Sequence, residues 1–227
     1  MEKLFKKYNL NEINKEKINK FNIYFKNLIE WNNQFNLTAI TDEREVQIKH
    51  FLDSVFPEFL IEKNAKILDI GAGAGFPSLP LKIYRDDLDV TMLDSLNKRV
   101  NFLNHIITIL NLKNTRAEHS RAEDFAKNHR DEFDYVVVRA VAKLSTLLEY
   151  ALPLLKIGGK LIAYKSFETD DEIENSKNAL NILGGKVVNI KKYVLEENQR
   201  SVIVIEKIKT TPHKYPRDKN LPKVKPL

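Results

Sequence analysis

Apolar residues recur at steps of three and four between positions 12 and 36, at Ile18, Phe21, Phe25, Leu28, Trp31 and Phe35. This spacing predicts an amphipathic helix with one core-facing stripe. A second helical stretch is predicted over 43–60, with Thr41 or Asp42 as N-cap, Glu45 in its first turn, and Pro57 interrupting it or beginning a further turn. No strand pattern occurs before position 60. The texture then changes. Lys66–Ile70 and Val90–Asp94 read as short buried parallel strands, a third is expected near 115–119, and Phe133–Arg139 is continuous and β-branched. Lys160–Lys165 is the fifth strand. Helices are expected over 96–110 with Ser95 as cap, from Arg121 to about His129, over 143–156 with Gly158-Gly159 closing it, and over 169–183 ending at Gly184-Gly185. Strands near 186–195 and 200–208 follow without a helix between them and are expected to pair antiparallel at one edge.

This order predicts an α/β fold: a Rossmann-like, mostly parallel seven-stranded sheet with helices on both faces and an N-terminal helical extension. The expected organisation is an extension over 1–60, a main domain over 61–210 and a tail over 211–227.

Composition narrows the chemistry. The chain has no cysteine, which excludes disulfides, thiolate metal sites and a cysteine nucleophile. No pair of its histidines lies on a metal-ligand spacing, so no metal is expected. Neither a membrane-length apolar run nor the apolar core of a signal peptide occurs, and a cytoplasmic protein is expected, with monomer as the default state. The net charge of +6 is concentrated at one end. Lys207, Lys209, Lys214, Arg217, Lys219, Lys223 and Lys225 face a single acid, Asp218, while the rest of the chain is balanced. Four prolines interrupt the same stretch. Such a tail cannot form a core of its own. It suits a phosphate-rich partner, or it is a solvated segment that aids solubility.

The chain has seven glycines, and three of them, Gly71, Gly73 and Gly75, follow the first strand and precede a helix. Glycine there permits positive φ and close ligand approach, at the crevice where doubly wound folds bind ligands. The dinucleotide fingerprint places its third glycine three positions after the second; here that position is Phe76, and Pro77 and Pro80 remove backbone donors that a pyrophosphate needs. With Asp69 at the strand end, the D-x-G-x-G-x-G pattern favours S-adenosylmethionine. Asp94, ending the second strand, is placed to accept hydrogen bonds from ribose hydroxyls, or to serve as an acid at a helix N-terminus, or both. Ala122 and Glu123 follow the third strand, where the adenine edge is expected. Arg139 ends the fourth, as a positioning group beside the substrate or as half of a structural salt bridge.

The chain resembles the bacterial small-subunit ribosomal RNA guanine-N7 methyltransferases, also called the glucose-inhibited division protein B family. The resemblance rests on Trp31–Ile40 (WNNQFNLTAI), His50–Ser54 (HFLDS), Asp69–Pro77 (DIGAGAGFP), Leu93–Arg99 (LDSLNKR), Ser120–Glu123 (SRAE), Arg139–Ala142 (RAVA) and Tyr215–Leu227 (YPRDKNLPKVKPL). It spans nearly the whole chain, and the LTAI and tail phrases are more specific than the glycine loop. It implies a class I methyltransferase fold, cofactor contact by Gly71, Phe76, Ala122, Glu123 and Arg139, and Asp94 near the ribose. It also implies RNA contact by the extension and tail, for which Lys165, Lys214, Arg217, Lys219, Lys223 and Lys225 are the candidates, with 16S rRNA or the small subunit as partner. Ser78, Ser166 and Asn220 stand where the family usually or often has glycine, and the second leaves the substrate-side loop open.

Methylation of guanine N7 removes no proton from the acceptor, so no general base is needed and no residue is assigned a proton-transfer role. Trp31 is read as core or as a wall for a flipped base, and His50 as a substrate contact or the polar closure of a helical turn. Deleting 211–227 is expected to weaken RNA binding and leave cofactor binding largely intact. The rival functions are methyl transfer to another RNA or small-molecule acceptor, a nicotinamide oxidoreductase (disfavoured by the glycine spacing and Pro77), and a non-catalytic RNA-binding module.

Overall fold

The computed structural model describes residues 1–139 and 142–227. Ala140 and Val141, part of the phrase Arg139–Ala142, lie outside the described residues. The chain divides into two compact units, Met1–Ala65 with Ala72–His119 and Lys66–Gly71 with Ser120–Leu227.

The first unit opens with α1 (Glu2–Lys7) and α2 (Lys15–Phe35). Asn14 caps α2 by accepting the Lys17 N–H at 2.9 Å, and Asn36 ends it in the left-handed conformation. Phe21, Tyr24 and Leu28 are the buried positions, while Phe25 is only half-buried. The predicted stripe thus runs through Tyr24, whose ring packs against Phe51, Phe76 and Phe102 while its hydroxyl donates to the Ala74 carbonyl. A tyrosine is buried readily when its one polar group is satisfied. Trp31 is half-buried and packs on Phe35, Phe102 and His105.

The predicted helix over 43–60 is four short pieces. They are α3 (Glu43–Val46), capped by Asp42, a π-helical turn over Gln47–Leu52, α4 (Asp53–Val55) and a 3-10 turn over Phe56–Leu60 containing Pro57. Next comes β1 (Lys66–Ile70), which belongs to the second unit. The first unit resumes with α5 (Ser78–Tyr84), β2 (Asp89–Asp94), α6 (Asn97–Ile109) and β3 (Thr115–His119). β2 and β3 pair in parallel, and α2 packs on α5 and α6. Ser95 does not cap α6: its N-cap is Leu96, whose N–H is taken by Asp94 Oδ1 at 2.9 Å.

The second unit continues with α7 (Ala122–Phe125), shorter than predicted because the chain turns at once to stack His129 on Phe125, with ring centroids 3.9 Å apart. Then follow β4 (Phe133–Arg139), α8 (Leu144–Ala151), β5 (Leu155–Lys165), α9 (Asp170–Glu174) and α10 (Lys177–Leu183). The predicted helix over 169–183 is thus broken at Ser176, and Gly184 ends α10 at φ 86°. The unit closes with β6 (Gly185–Leu195), β7 (Asn198–Lys207) and α11 (Leu221–Val224).

Gly158-Gly159 does not close α8. It lies inside β5, where the pairing with β4 jumps from Phe133↔Leu155 to Tyr135↔Lys160. A Cβ on Gly159 would stand 3.0 Å from the carbonyl oxygens of Asp134 and Lys156, so the irregularity depends on the missing side chain. β1, β4 and β5 run parallel, and β7 pairs antiparallel with both β5 and β6. The strand order is β3-β2-β1-β4-β5-β7-β6, a mostly parallel seven-stranded sheet as expected from the alternation. Among the described residues no helix is long and apolar enough to cross a membrane.

Candidate functional site

Gly71, Gly73 and Gly75 all have positive φ, at 73°, 58° and 97°. Gly75 is doubly constrained: a Cβ there would also stand 2.4 Å from Leu79 Cδ1 and 3.0 Å from the Tyr24 hydroxyl. In the first unit the glycine loop is tied to the end of β2. Gly73 donates its N–H to Asp94 Oδ2 at 2.9 Å, and Ala72 donates to the Leu93 carbonyl at 2.9 Å. Asp94 is 3% exposed. Each of its oxygens holds one backbone N–H, Gly73 on Oδ2 and Leu96 on Oδ1, and Arg99 Nη1 lies 3.5 Å from Oδ2. A carboxylate with one strong donor per oxygen keeps acceptor capacity on both. That remaining acceptor capacity fits a ligand presenting two adjacent hydroxyls as donors.

Phe76 is buried, and the His50 ring stacks on it with centroids 4.3 Å apart and planes at 25°. His50 Nδ1 lies 3.1 Å from the Lys49 carbonyl, which only accepts, so Nδ1 carries the hydrogen. Nε2 is within hydrogen-bond distance of Thr38 Oγ1, at 2.9 Å, and that hydroxyl accepts the Ile40 N–H at 3.1 Å. These contacts hold the His50 ring against Phe76. It sits in the π-helical turn, a distortion that recurs at functional sites.

In the second unit Asp69 is fully buried on β1 opposite Val137, and Arg139 ends β4 opposite Tyr164. Ala122 and Glu123 form the first turn of α7, and Glu123 is 4% exposed. Its Oε1 lies 3.4 Å from the Asn220 backbone nitrogen and 3.9 Å from Arg121 Nη1. Lys165 points its ammonium at Glu172 Oε1, 2.6 Å away, and at the Ala142 carbonyl, 3.1 Å away. Glu172 also accepts the Leu144 N–H at 2.7 Å, so Lys165 is committed to anchoring the start of α8.

The basic segment 211–227 is docked on its own unit. Arg130 donates to the Tyr215 carbonyl at 2.6 Å and to the Thr211 carbonyl at 2.8 Å, and Thr211, Tyr215 and Pro222 are buried. Arg217 meets Glu149 through Nε at 2.8 Å, Nη2 at 2.6 Å and its backbone N–H at 2.8 Å. Glu149 lies on α8 and its side chain is 0% exposed. This fork holds the Arg217 guanidinium above its usual range. Burial pushes the neighbouring Tyr150 hydroxyl up to about 12, with the charges of Glu123 and Glu149 adding to the effect. Lys214 lies over the Tyr215 ring, and the side chains of Lys214, Lys219, Lys223 and Lys225 are exposed.

A family model described as GidB, rRNA small subunit methyltransferase G, matches residues 17–203. The chain belongs to this family. Relatives named ribosomal RNA small subunit methyltransferase G from Streptococcus pyogenes serotype M1 and from serotype M49 strain NZ131 are each 52% identical over 213 residues, covering 91% of this chain and 90% of theirs. Among solved structures the chain is similar to M. jannaschii TYW2 in complex with AdoMet, with TM-score 0.59 and 18% identity over 75% of this chain and 80% of that one. A SAM-dependent methyltransferase from Aquifex aeolicus gives TM-score 0.54 and 20% identity over 73% and 94%. These structural likenesses establish the class I methyltransferase fold.

One residue of this GidB-family chain escaped the sequence reading, as did the placement of another. Glu149 is the receptor for Arg217. Its signal was present, since it is the one charged residue in the α8 run Leu144–Ala151, and a buried charge requires a partner. His50 was singled out, but its stacking on Phe76 follows from the π-helical turn, which regular helical spacing does not reveal.

Proposed function

We propose that this chain transfers the methyl group of S-adenosylmethionine to N7 of a guanine in 16S ribosomal RNA. The observation that carries the reading is the family match over residues 17–203, which includes the glycine loop and Asp94. In this reading Asp94 holds the ribose hydroxyls. Asp69, Gly71, Gly73, Gly75 and Phe76 line the amino-acid and sugar side, and Ala122 and Glu123 meet the adenine edge. Arg139 positions the target base. The bound cofactor supplies a methyl group already activated on a sulfonium. The protein's own residues have no proton to remove from the acceptor. Their task is to hold the cofactor and fix the direction of approach, and near-attack placement is the main source of acceleration.

The acceptor is tested by incubating the protein and label-bearing S-adenosylmethionine with naked 16S rRNA, with the small subunit and with free guanosine. Label is expected in one or both RNA substrates and absent from guanosine. Comparable labelling of guanosine would favour a small-molecule methyltransferase.

The exposed strap lysines are proposed to meet RNA phosphates. Replacing Lys223 and Lys225 by Gln is expected to weaken rRNA binding and to reduce the slope of log affinity against log salt by about 0.7–0.9 for each phosphate no longer neutralised. An unchanged slope in a binding titration would remove both lysines from the RNA interface.

A further inference from the structure

By composition, the segment 211–227 reads as a tail for a phosphate-rich partner or as a solvated segment, and its deletion is expected to leave cofactor binding largely intact. Its hydrogen bonds place it elsewhere in the machinery. Two anchors fix it on α8: the Arg217 fork on buried Glu149, and the Thr146 hydroxyl, which donates to the Pro222 carbonyl at 3.0 Å. Arg217 Nη2 also donates to the Lys225 carbonyl at 2.9 Å, closing the strap into a loop around the guanidinium. Between these anchors Lys219 and Asn220 both adopt φ 57°. This left-handed bend turns the Asn220 N–H towards Glu123 Oε1, 3.4 Å away. Nearby, Lys127 of the α7 turn holds Asp218 at 3.2 Å and Asp124 at 2.9 Å. Glu123 lines two clefts between α7 and the strap, of about 310 and 390 Å³.

We propose that the C-terminal strap positions Glu123 for the adenine side of the cofactor, with Arg217 and Asn220 as positioning residues that act through that carboxylate. The inference rests on the reading of Glu123 as an adenine-side contact. A carboxylate side chain at 4% exposure has two χ angles before its terminal torsion, and a backbone N–H from a bend anchored at both ends removes that freedom before the ligand arrives. Preorganisation of this kind acts on cofactor affinity and leaves the methyl-transfer step itself unchanged. It also accounts for Asn220, since the bend needs a residue that tolerates positive φ.

The bend itself provides the test. Asn220→Gly keeps both the N–H and the left-handed conformation, Asn220→Ala disfavours that conformation, and Asn220→Val disfavours it most. All three lose the same exposed amide. In the full-length protein the KM for S-adenosylmethionine is expected to stay at the parent value for Gly and to rise in the order Ala, then Val, reaching roughly three- to tenfold for Val. The kcat at saturating cofactor, and the urea midpoint within a small shift, are expected to stay constant. Parent-like KM in the Val variant would overturn the proposal, as would an equal rise in the Gly variant, which would assign the effect to the amide side chain. A fall in kcat tracking a loss of folded protein would reduce the strap to a structural role. A parent protein that fails to bind S-adenosylmethionine in calorimetry would overturn the cofactor reading beneath it, and the strap with it.

Discussion

Arg217→Ala is expected to lower the unfolding free energy by about 3–5 kcal/mol, well beyond the usual effect of a half-exposed arginine. The cause is the group left behind. Glu149 is 0% exposed and takes three donors from Arg217, one of which is its backbone N–H. Removing the guanidinium strands a carboxylate with a single backbone donor inside α8. Adding Glu149→Gln is expected to recover part of the loss, because a neutral amide is easier to bury and can still accept that N–H. Urea titrations of the parent, single and double variants check this through the midpoint at constant slope. A single-variant loss below about 1 kcal/mol would class the pair with ordinary surface salt bridges. Deletion of 211–227 consequently reaches further than the tail's composition suggests. Truncation would remove the Arg217 fork, expose the surface under Tyr215 and release Glu123. It therefore cannot isolate RNA binding, for which the exposed lysines are the cleaner targets.

The second large effect concerns Asp94. Asp94→Asn is expected to weaken S-adenosylmethionine binding by roughly 10- to 100-fold, the loss of one to two hydrogen bonds to a charged acceptor. The substitution also has a geometric cost. Both carboxylate oxygens already accept a backbone N–H, from Gly73 and from Leu96. Either orientation of an asparagine amide therefore sets N–H against N–H, at the glycine loop or at the entry to α6. Calorimetry beside a urea titration separates the two consequences. Parent-like affinity would take Asp94 out of the cofactor site.

Much of the fold was legible because its signals are local. The alternation of apolar runs with three-and-four spacing located the strands and the longer helices, and the glycine cluster marked the loop after β1. Several misreadings arise where a contact that spacing does not reveal overrides the local signal. Gly158-Gly159 reads as a turn, yet it lies in the irregular stretch of β5 where the pairing with β4 shifts and a Cβ on Gly159 would crowd backbone carbonyls. Ser95 reads as a cap, yet Asp94 already holds the Leu96 N–H. Tyr24, skipped in the stripe, is buried because a carbonyl of the glycine loop accepts its hydroxyl across 50 residues. The strap reads as solvated from its lysines and prolines, and only the meeting of Arg217 with Glu149, 68 positions away, shows that it is docked. The candidate site was legible as a set of strand-end residues. What composition could not show was that two of the six basic candidates, Lys165 and Arg217, hold the protein's own carboxylates.

The most direct test of the proposed function is a map of N7-methylguanosine in 16S rRNA from cells with and without this protein. A guanine methylated at N7 is expected in the first and unmethylated in the second, with the mark restored by the parent gene and reduced by Asp94→Asn. An identical N7-methylation map in both cell lines would contradict guanine N7 of 16S rRNA as the acceptor.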